Sequence, residues 1–248
     1  MFISKLLQIR SSDKIQPGMT GSNFTIHTDQ SNTKIHHIWR AELVSATIIN
    51  TEYNVNTKNQ TLNYTITGTA TTYSAPVGSY TSSTLISELN SEMSGVTWSV
   101  NTLTSKITAT CDGSTTLVIA DQDLLTYLGF HENISIATSG SQEGTGVVDL
   151  NGLDCIYVES SIGPQNCISS SGQANNIIAT IPINVSFGFS QLFSSVHSGE
   201  DSSINYYTHS RDLSTVNIRL LDKNMNELEL NGSKSSFMFR VWYQHQSI

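Results

Sequence analysis

Apolar and polar positions alternate along most of the chain, with the period of two that marks half-buried β-strands. Residues 4–12 and 23–29 are short runs of this kind, separated by a Pro17-Gly18 turn. Residues 34–55 follow as a strand-like stretch of unusual length, rich in β-branched and aromatic residues, with Arg40 and Glu42 embedded in it. Strict alternation puts Trp39, Ala41 and Leu43 on one face, and Ile38, Arg40, Glu42 and Val44 on the other. Arg40 and Glu42 read as a solvated or cross-strand pair.

The pattern changes after Asn56. Residues 60–67 read as a strand, and residues 75–95 contain the clearest helix of the chain. Thr81 or Ser82 can cap its start, Leu85, Ile86, Leu89 and Met93 form one apolar stripe, and Gly95 sits at a left-handed stop. Three short strands follow at 96–101, 105–110 and 115–120, with an Asp112-Gly113 turn among them. Asp121 is placed to cap a second short helix over 122–130, where Leu124, Leu125 and Leu128 point inward and Gly129 ends it. Residues 57–135 therefore read as a compact α+β domain. The polar Gly/Ser-rich run 135–146 reads as a flexible return.

Strands resume at 153–161, 175–185, 204–209, 214–222 and 236–244. With the first three they make eight antiparallel strands and no intervening long helix. The fold class is mainly β: an eight-stranded antiparallel jelly-roll sandwich with an inserted small α+β domain. Residues 1–56 supply three of its strands and residues 136–248 the other five, with 57–135 as the insertion. The long third strand suits a segment that carries the chain out of the sandwich. Leu-Asn-Gly stands before a strand at 150–152 and again at 230–232, each a tight turn with Gly152 or Gly232 at positive φ.

Composition narrows the chemistry. Of the 248 residues 13% are charged, and the net charge of −8 with no Lys/Arg run argues against direct nucleic-acid binding. A chain of this length buries enough surface to fold without disulfides. Cys111, Cys155 and Cys167 are odd in number and lack C-x-x-C spacing, so buried free thiols are the simplest reading, with a Cys155–Cys167 bridge left open. The apolar run near the start is short and interrupted by charge, unlike a secretory signal, and no stretch approaches the roughly 20 apolar residues of a membrane span. Six N-x-S/T sequons, at Asn23, Asn59, Asn63, Asn133, Asn184 and Asn231, are expected by chance in so Ser/Thr/Asn-rich a chain. These features fit synthesis in a reducing cytoplasm.

Catalytic patterns do not emerge: no H-E-x-x-H, Walker loop, G-x-S-x-G or EF-hand loop occurs. His36 and His37 are the only adjacent histidines, and on a strand they face opposite ways, so they cannot share one metal. His27, His131, His197, His209 and His245 show no ligand spacing. Asp121 and Asp123 are accounted for by helix capping rather than calcium. Trp39, Trp98 and Trp242 sit in alternating strand patterns and read as core residues rather than a sugar-stacking platform. The sequence offers no catalytic, cofactor-binding or metal-binding residue, and it reads as a non-enzyme.

Five segments in order carry a resemblance: AELVSATIINTEYNV (41–55), APVGSYTSSTLISELNSEM (75–93), LLTYLGF (124–130), VVDLNGLDCIYVESS (147–161) and NIRLLDKNMNELELNGSKSSFMFRV (217–241). The series resembles the penton-like minor capsid proteins of large double-stranded DNA viruses, virophages and polinton-like elements. Its specificity lies in the order and spacing of weak motifs. Family members often carry a proline before the Asn of an I-P-N-x-x-Y-N element, where this chain has Ile49, and residues 189–212 have no matched counterpart. The resemblance implies a single jelly roll that forms homopentamers at icosahedral five-fold vertices, in a virion assembled in the host cytoplasm. It implies a double-jelly-roll major capsid protein as neighbour, together with other minor capsid or spike proteins, and leaves membrane contact open. The alternative is a receptor- or glycan-binding surface module of a virion with a lectin-like β-sandwich.

Overall fold

The element that organises the chain is a 15-residue strand, β3 (Ile35–Ile49), flanked along its whole length. A computed structural model of the protein describes residues 2–28, 35–120, 123–163, 167–168, 174–195 and 204–244. Residues 1–52 and 153–248 form one unit, and residues 53–152 form a second, inserted between the two parts of the first.

The first unit begins with β1 (Phe2–Arg10), β2 (Asn23–His27) and β3. The second contributes β4 (Thr61–Ile66), β5 (Thr69–Ser74), α1 (Ser82–Glu92), β6 (Val96–Asn101), β7 (Lys106–Cys111), β8 (Leu117–Ile119), α2 (Asp123–Tyr127), β9 (Ile134–Ile136) and β10 (Ser141–Glu143). The first resumes with β11 (Cys155–Ser160), a two-stranded ribbon β12 (Cys167–Ile168) and β13 (Ala174–Asn175), then β14 (Ile177–Pro182), β15 (Ser190–Ser194), β16 (Ile204–Leu213), β17 (Thr215–Leu221) and β18 (Ser235–Gln244).

In the first unit one sheet runs β1-β18-β3, with β15 and β16 sharing the far flank of β3, and the other runs β14-β11-β17-β2. Numbering only these main strands in chain order, and counting β15 and β16 as one position, the sheets read 1-8-3-6 and 2-7-4-5. That order, antiparallel throughout, is a jelly roll. The inner faces of both sheets join in one core of Ile9, Leu43, Ile48, Phe237 and Phe239 against Phe24, Val216, Ile218, Val158 and Ile181. The Phe24 and Phe237 rings bridge the sheets at 6.3 Å between centroids. Each buried aromatic of this kind contributes on the order of 3 kcal/mol through area removed from water.

β3 corrects two expectations. It ends at Ile49 rather than Val55, and it does not leave the sheet: β16 pairs with Ile35–Glu42 and β15 with Ser45–Ile49. Two strands laid end to end on one flank account for its length. Strict alternation also fails. Met238 faces Ser45 while Phe239 faces Leu43, and Trp242 faces Arg40 while Tyr243 faces Ile38, so Val44 and Trp39 are extra residues in β-bulges. Each bulge shifts the phase by one, which turns Ile38, Ala41, Leu43, Ala46 and Ile48 all inward. Ile38 is thus a core residue, while Trp39 is only half-buried.

The second unit packs β5-β4-β8-β9 and β10-β7-β6 with α1 and α2 around Leu62, Leu85, Leu89, Trp98, Leu125 and Phe130. Thr81 caps α1 in a reciprocal capping box with Thr84. Gly95, Gly129, Gly152 and Gly232 all take positive φ. Asp121 lies outside the described residues. The run 135–146 is not a loose return: β9 pairs with β8, and β10 pairs with β7. These pairings carry the second unit on past residue 135, to residue 152. β9 (Ile-Ser-Ile) alternates but is only three residues long, and β10 (Ser-Gln-Glu) is polar, so neither stood out as a strand.

The β4–β5 hairpin turns on Thr67 and Gly68, both at positive φ, 47° and 79°. A β-branched residue is disfavoured there, where Asn is favoured. Thr67→Asn is expected to stabilise the second unit by about 0.5–1 kcal/mol, read as a higher urea midpoint in unfolding followed by Trp98 fluorescence.

Candidate functional site

Just beyond β3 the chain passes from one unit to the other through Asn50-Thr51-Glu52-Tyr53-Asn54, and its polar side chains are anchors. In the first unit Asn50 holds the loop before β15. Its N–H donates to the Phe189 carbonyl at 2.9 Å, its carbonyl accepts from Gly188 N–H at 2.7 Å, and its Nδ2 donates to the Val185 carbonyl at 3.0 Å. Thr51 Oγ1 donates to the Leu230 carbonyl at 2.7 Å, and Glu52 Oε2 accepts from Glu229 N–H at 2.6 Å. The Leu230-Asn231-Gly232 turn is thereby tied to the end of β3.

In the second unit the buried Asn54 does corresponding work. Its Nδ2 donates to the carbonyls of Tyr80 at 2.8 Å and Leu150 at 2.7 Å, and its Oδ1 accepts from Tyr80 N–H at 2.8 Å. Asn59 donates to the Asn54 carbonyl at 2.8 Å. Entry and exit of the inserted chain are therefore joined by one side chain. Both Leu-Asn-Gly turns supply a leucine carbonyl to these anchors. No spacing rule would have identified that role.

The loop held by Asn50 and the strand after it expose the largest apolar side chains of this part of the first unit. Phe187, Phe189 and Leu192 are 40%, 65% and 69% exposed. Gly188, at φ +84°, makes the turn between the two phenylalanines. From inside, the buried Gln191 accepts from Asn184 N–H at 3.1 Å. Sequence reasoning missed this patch because it lies where the motif series has no counterpart. One signal was present: no Asp, Glu, Lys or Arg occurs between Glu159 and Glu200.

The outer face of the same sheet carries Arg40, with its guanidinium 4.2 Å from the centre of the Trp242 ring, and Glu42, 4.0 Å from Arg240. Ser195 Oγ donates to Glu42 at 3.1 Å. Arg40 and Glu42 thus engage cross-strand neighbours. On the other sheet Arg219 and Glu159 face each other at 2.7 Å. Trp98 is buried, edge-on to Phe130 at 6.1 Å, and Trp242 lies under Arg40, so the structure does not gather the three tryptophans into one platform.

The side chains of His36, His37, His209, Asp123 and Cys167, and all of His197 and His245, lie outside the described residues. His27 is on β2 and His131 on the loop after α2, in different units. Among the described residues no group of three or more His, Cys, Asp or Glu could hold a metal ion. Cys155 is a free, half-buried thiol. Cys111 is buried, and desolvation followed by the Asp112 charge pushes its thiol up.

The fold makes this a jelly-roll protein with an inserted α+β unit. No protein-family model matches the chain, and no curated protein does. Among solved structures, a crystal structure of the mavirus penton protein is similar to it over 98% of this chain and 100% of that one, at 10% identity and a TM-score of 0.49.

Asn54→Ala is expected to leave Tyr80 N–H and two carbonyls without their partner and to cost about 2–4 kcal/mol. The check is urea unfolding of the second unit followed by Trp98, its sole tryptophan. Tyr73 gives a pH signature. Burial first, then Glu88, Tyr80 and Glu92, push its phenol up to about 12 from 10.0. The unfolded phenol ionises more readily, so its contribution is intact below pH 10 and lost as pH rises through about 12. The buried hydroxyl has no partner among the described residues. Tyr73→Phe is expected to gain up to about 1 kcal/mol at pH 7 and to flatten the loss of stability between pH 10 and 12, read in parallel urea titrations.

Proposed function

We propose that this chain is a structural capsid protein, a penton whose copies close a homopentamer at the five-fold vertices of an icosahedral shell, beside a double-jelly-roll major capsid protein. The observation that carries the reading is where the penton-like motif series falls on the fold. Residues 41–55 are most of β3 and the passage into the inserted unit. Residues 147–161 are the passage back and β11, and residues 217–241 are most of β17 and β18 with the turn between them. Three of the five segments therefore follow strands and crossings of a jelly roll interrupted between its third and fourth main strands, while residues 75–93 and 124–130 fall on α1 and α2 of the inserted unit.

The architecture suits a ring. A closed five-fold assembly is heterologous, so each copy must offer two different surfaces. A sandwich whose larger sheet ends in β1 on one side and in β15 and β16 on the other has two such edges. Its work in this reading is done by shape and contact, with no bond made or broken.

Native mass measurement of the purified protein is expected to give a species of five times the 27.1 kDa chain. A monomer persisting at high micromolar concentration, or a closed ring of another order, would count against the reading.

A further inference from the structure

We propose that Asn151-Gly152 is a site of spontaneous deamidation, and that the other Asn-Gly pair of the chain, Asn231-Gly232, is spared by the way it is held. The inference is independent of the pentamer reading.

Asparagine is among the thermolabile side chains, and the reaction needs only water and an unhindered backbone nitrogen after it. The Gly152 nitrogen gives its proton to a solvent base and attacks Cγ of the Asn151 amide. A C–N bond forms, the amide nitrogen leaves as ammonia, and a five-membered succinimide remains. Water then opens the ring at one carbonyl or the other. The products are aspartate, or isoaspartate, in which the main chain runs through the former side-chain carbon. In sum the amide and one water become a carboxylic acid and ammonia. Glycine favours the attack because it has no Cβ to crowd the nitrogen.

The sequence holds two Asn-Gly pairs, each preceded by leucine. All four residues are exposed, and an added Cβ at either glycine would come no closer than 3.7 Å to a neighbouring atom. Local sequence, water access and crowding therefore do not separate them. Hydrogen bonds do. Asn231 Nδ2 donates to the Thr51 carbonyl, and Ser233 N–H closes the turn onto the Leu230 carbonyl at 2.8 Å. Asn231 and Gly232 are set in that turn at φ +47° and +79°. For Gly232 to reach the Asn231 amide, the side chain must release Thr51 and the turn must open. At the other pair neither restraint exists. No hydrogen bond closes Leu150 onto Leu153, and among the described residues the Asn151 amide and the Gly152 N–H have no partner. Asn151 is held by its backbone alone, through its N–H to the Asp149 carboxylate at 3.2 Å, which leaves its side chain free to turn.

The consequence falls on the return from the inserted segment. The residue before Asn151 is Leu150, whose carbonyl Asn54 grips. Isoaspartate would lengthen the main chain beside that grip, and either product adds a carboxylate two residues from Asp149. Ageing is therefore expected to loosen the second unit at its exit.

The test ages the full chain in native buffer and, in parallel, in guanidinium chloride. Peptide mass spectrometry follows each asparagine, and enzymatic methylation detects isoaspartate. In the native chain Asn151 is expected to convert at least about tenfold faster than Asn231, the rate cost of breaking one or two neutral hydrogen bonds. In guanidinium the two are expected to convert at similar rates. Asn151→Gln is expected to stop conversion at 151 and leave Asn231 as in wild type. Aged wild type is expected to show a lower urea midpoint of the second unit, followed by Trp98, than aged Asn151→Gln. Equal rates in the native chain, or no conversion of Asn151 there while the unfolded chain converts, would overturn the proposal. A preference that persists unchanged in guanidinium would overturn the protective role of the Thr51 bond and the turn. Conversion with an unchanged midpoint would overturn the loosening at the exit.

Discussion

The first unit depends on β3 being hydrogen-bonded along both flanks. β18 lies on one side, and β16 and β15 lie end to end on the other, so three strands register against one. A strand shared in this way cannot slip by a residue without turning Ile38, Ala41, Leu43, Ala46 and Ile48 out of the core. The bulges at Trp39 and Val44 keep that inward set intact along a strand that must twist as it runs. They also allow the other residues to face out, where Arg40 reaches Trp242 and Glu42 reaches Ser195. Sandwich, outer face and exposed edge thus share one origin.

The insertion is accommodated by local anchoring on each side of the passage. Asn50, Thr51 and Glu52 are satisfied within the first unit, and Asn54 within the second. A 100-residue segment can be placed between two strands of a sandwich when its own ends are brought together, because closing a long loop costs only slowly more as it lengthens. Asn54 performs that closure by gripping Leu150. The polar texture of residues 50–60, which reads in the sequence as a broken strand, is a set of buried or half-buried amides with defined partners.

Much of this was legible from periodicity. Alternation found all eight main positions of the sandwich, the sixth through β16 alone, and the Leu85-Leu89 stripe with Thr81 and Gly95 placed α1. Two things defeated it. Bulges break the period of two, so Ile38 and Trp39 were read on the wrong faces. Strands without alternating apolar residues, such as β10 (Ser-Gln-Glu) and β15, whose residues sit on an exposed edge, give no periodic signal at all. The exposed apolar residues were hidden for the same reason, since Phe187 and Phe189 flank a turn at Gly188 and Leu192 faces away from the core. What could have pointed to them was charge: no Asp, Glu, Lys or Arg stands between Glu159 and Glu200.

Amide hydrogen exchange of the intact chain, resolved by residue, tests the central place of β3 most directly. The backbone amides of Ala41 to Ile48 are expected to open only with global unfolding of the first unit, at the free energy measured by urea for that unit. Amides of β15 that point away from β3 are expected to open far more easily. Exchange of the β3 amides as fast as those of β15, or well below the global free energy, would mean that the strand is not what the sandwich is built around.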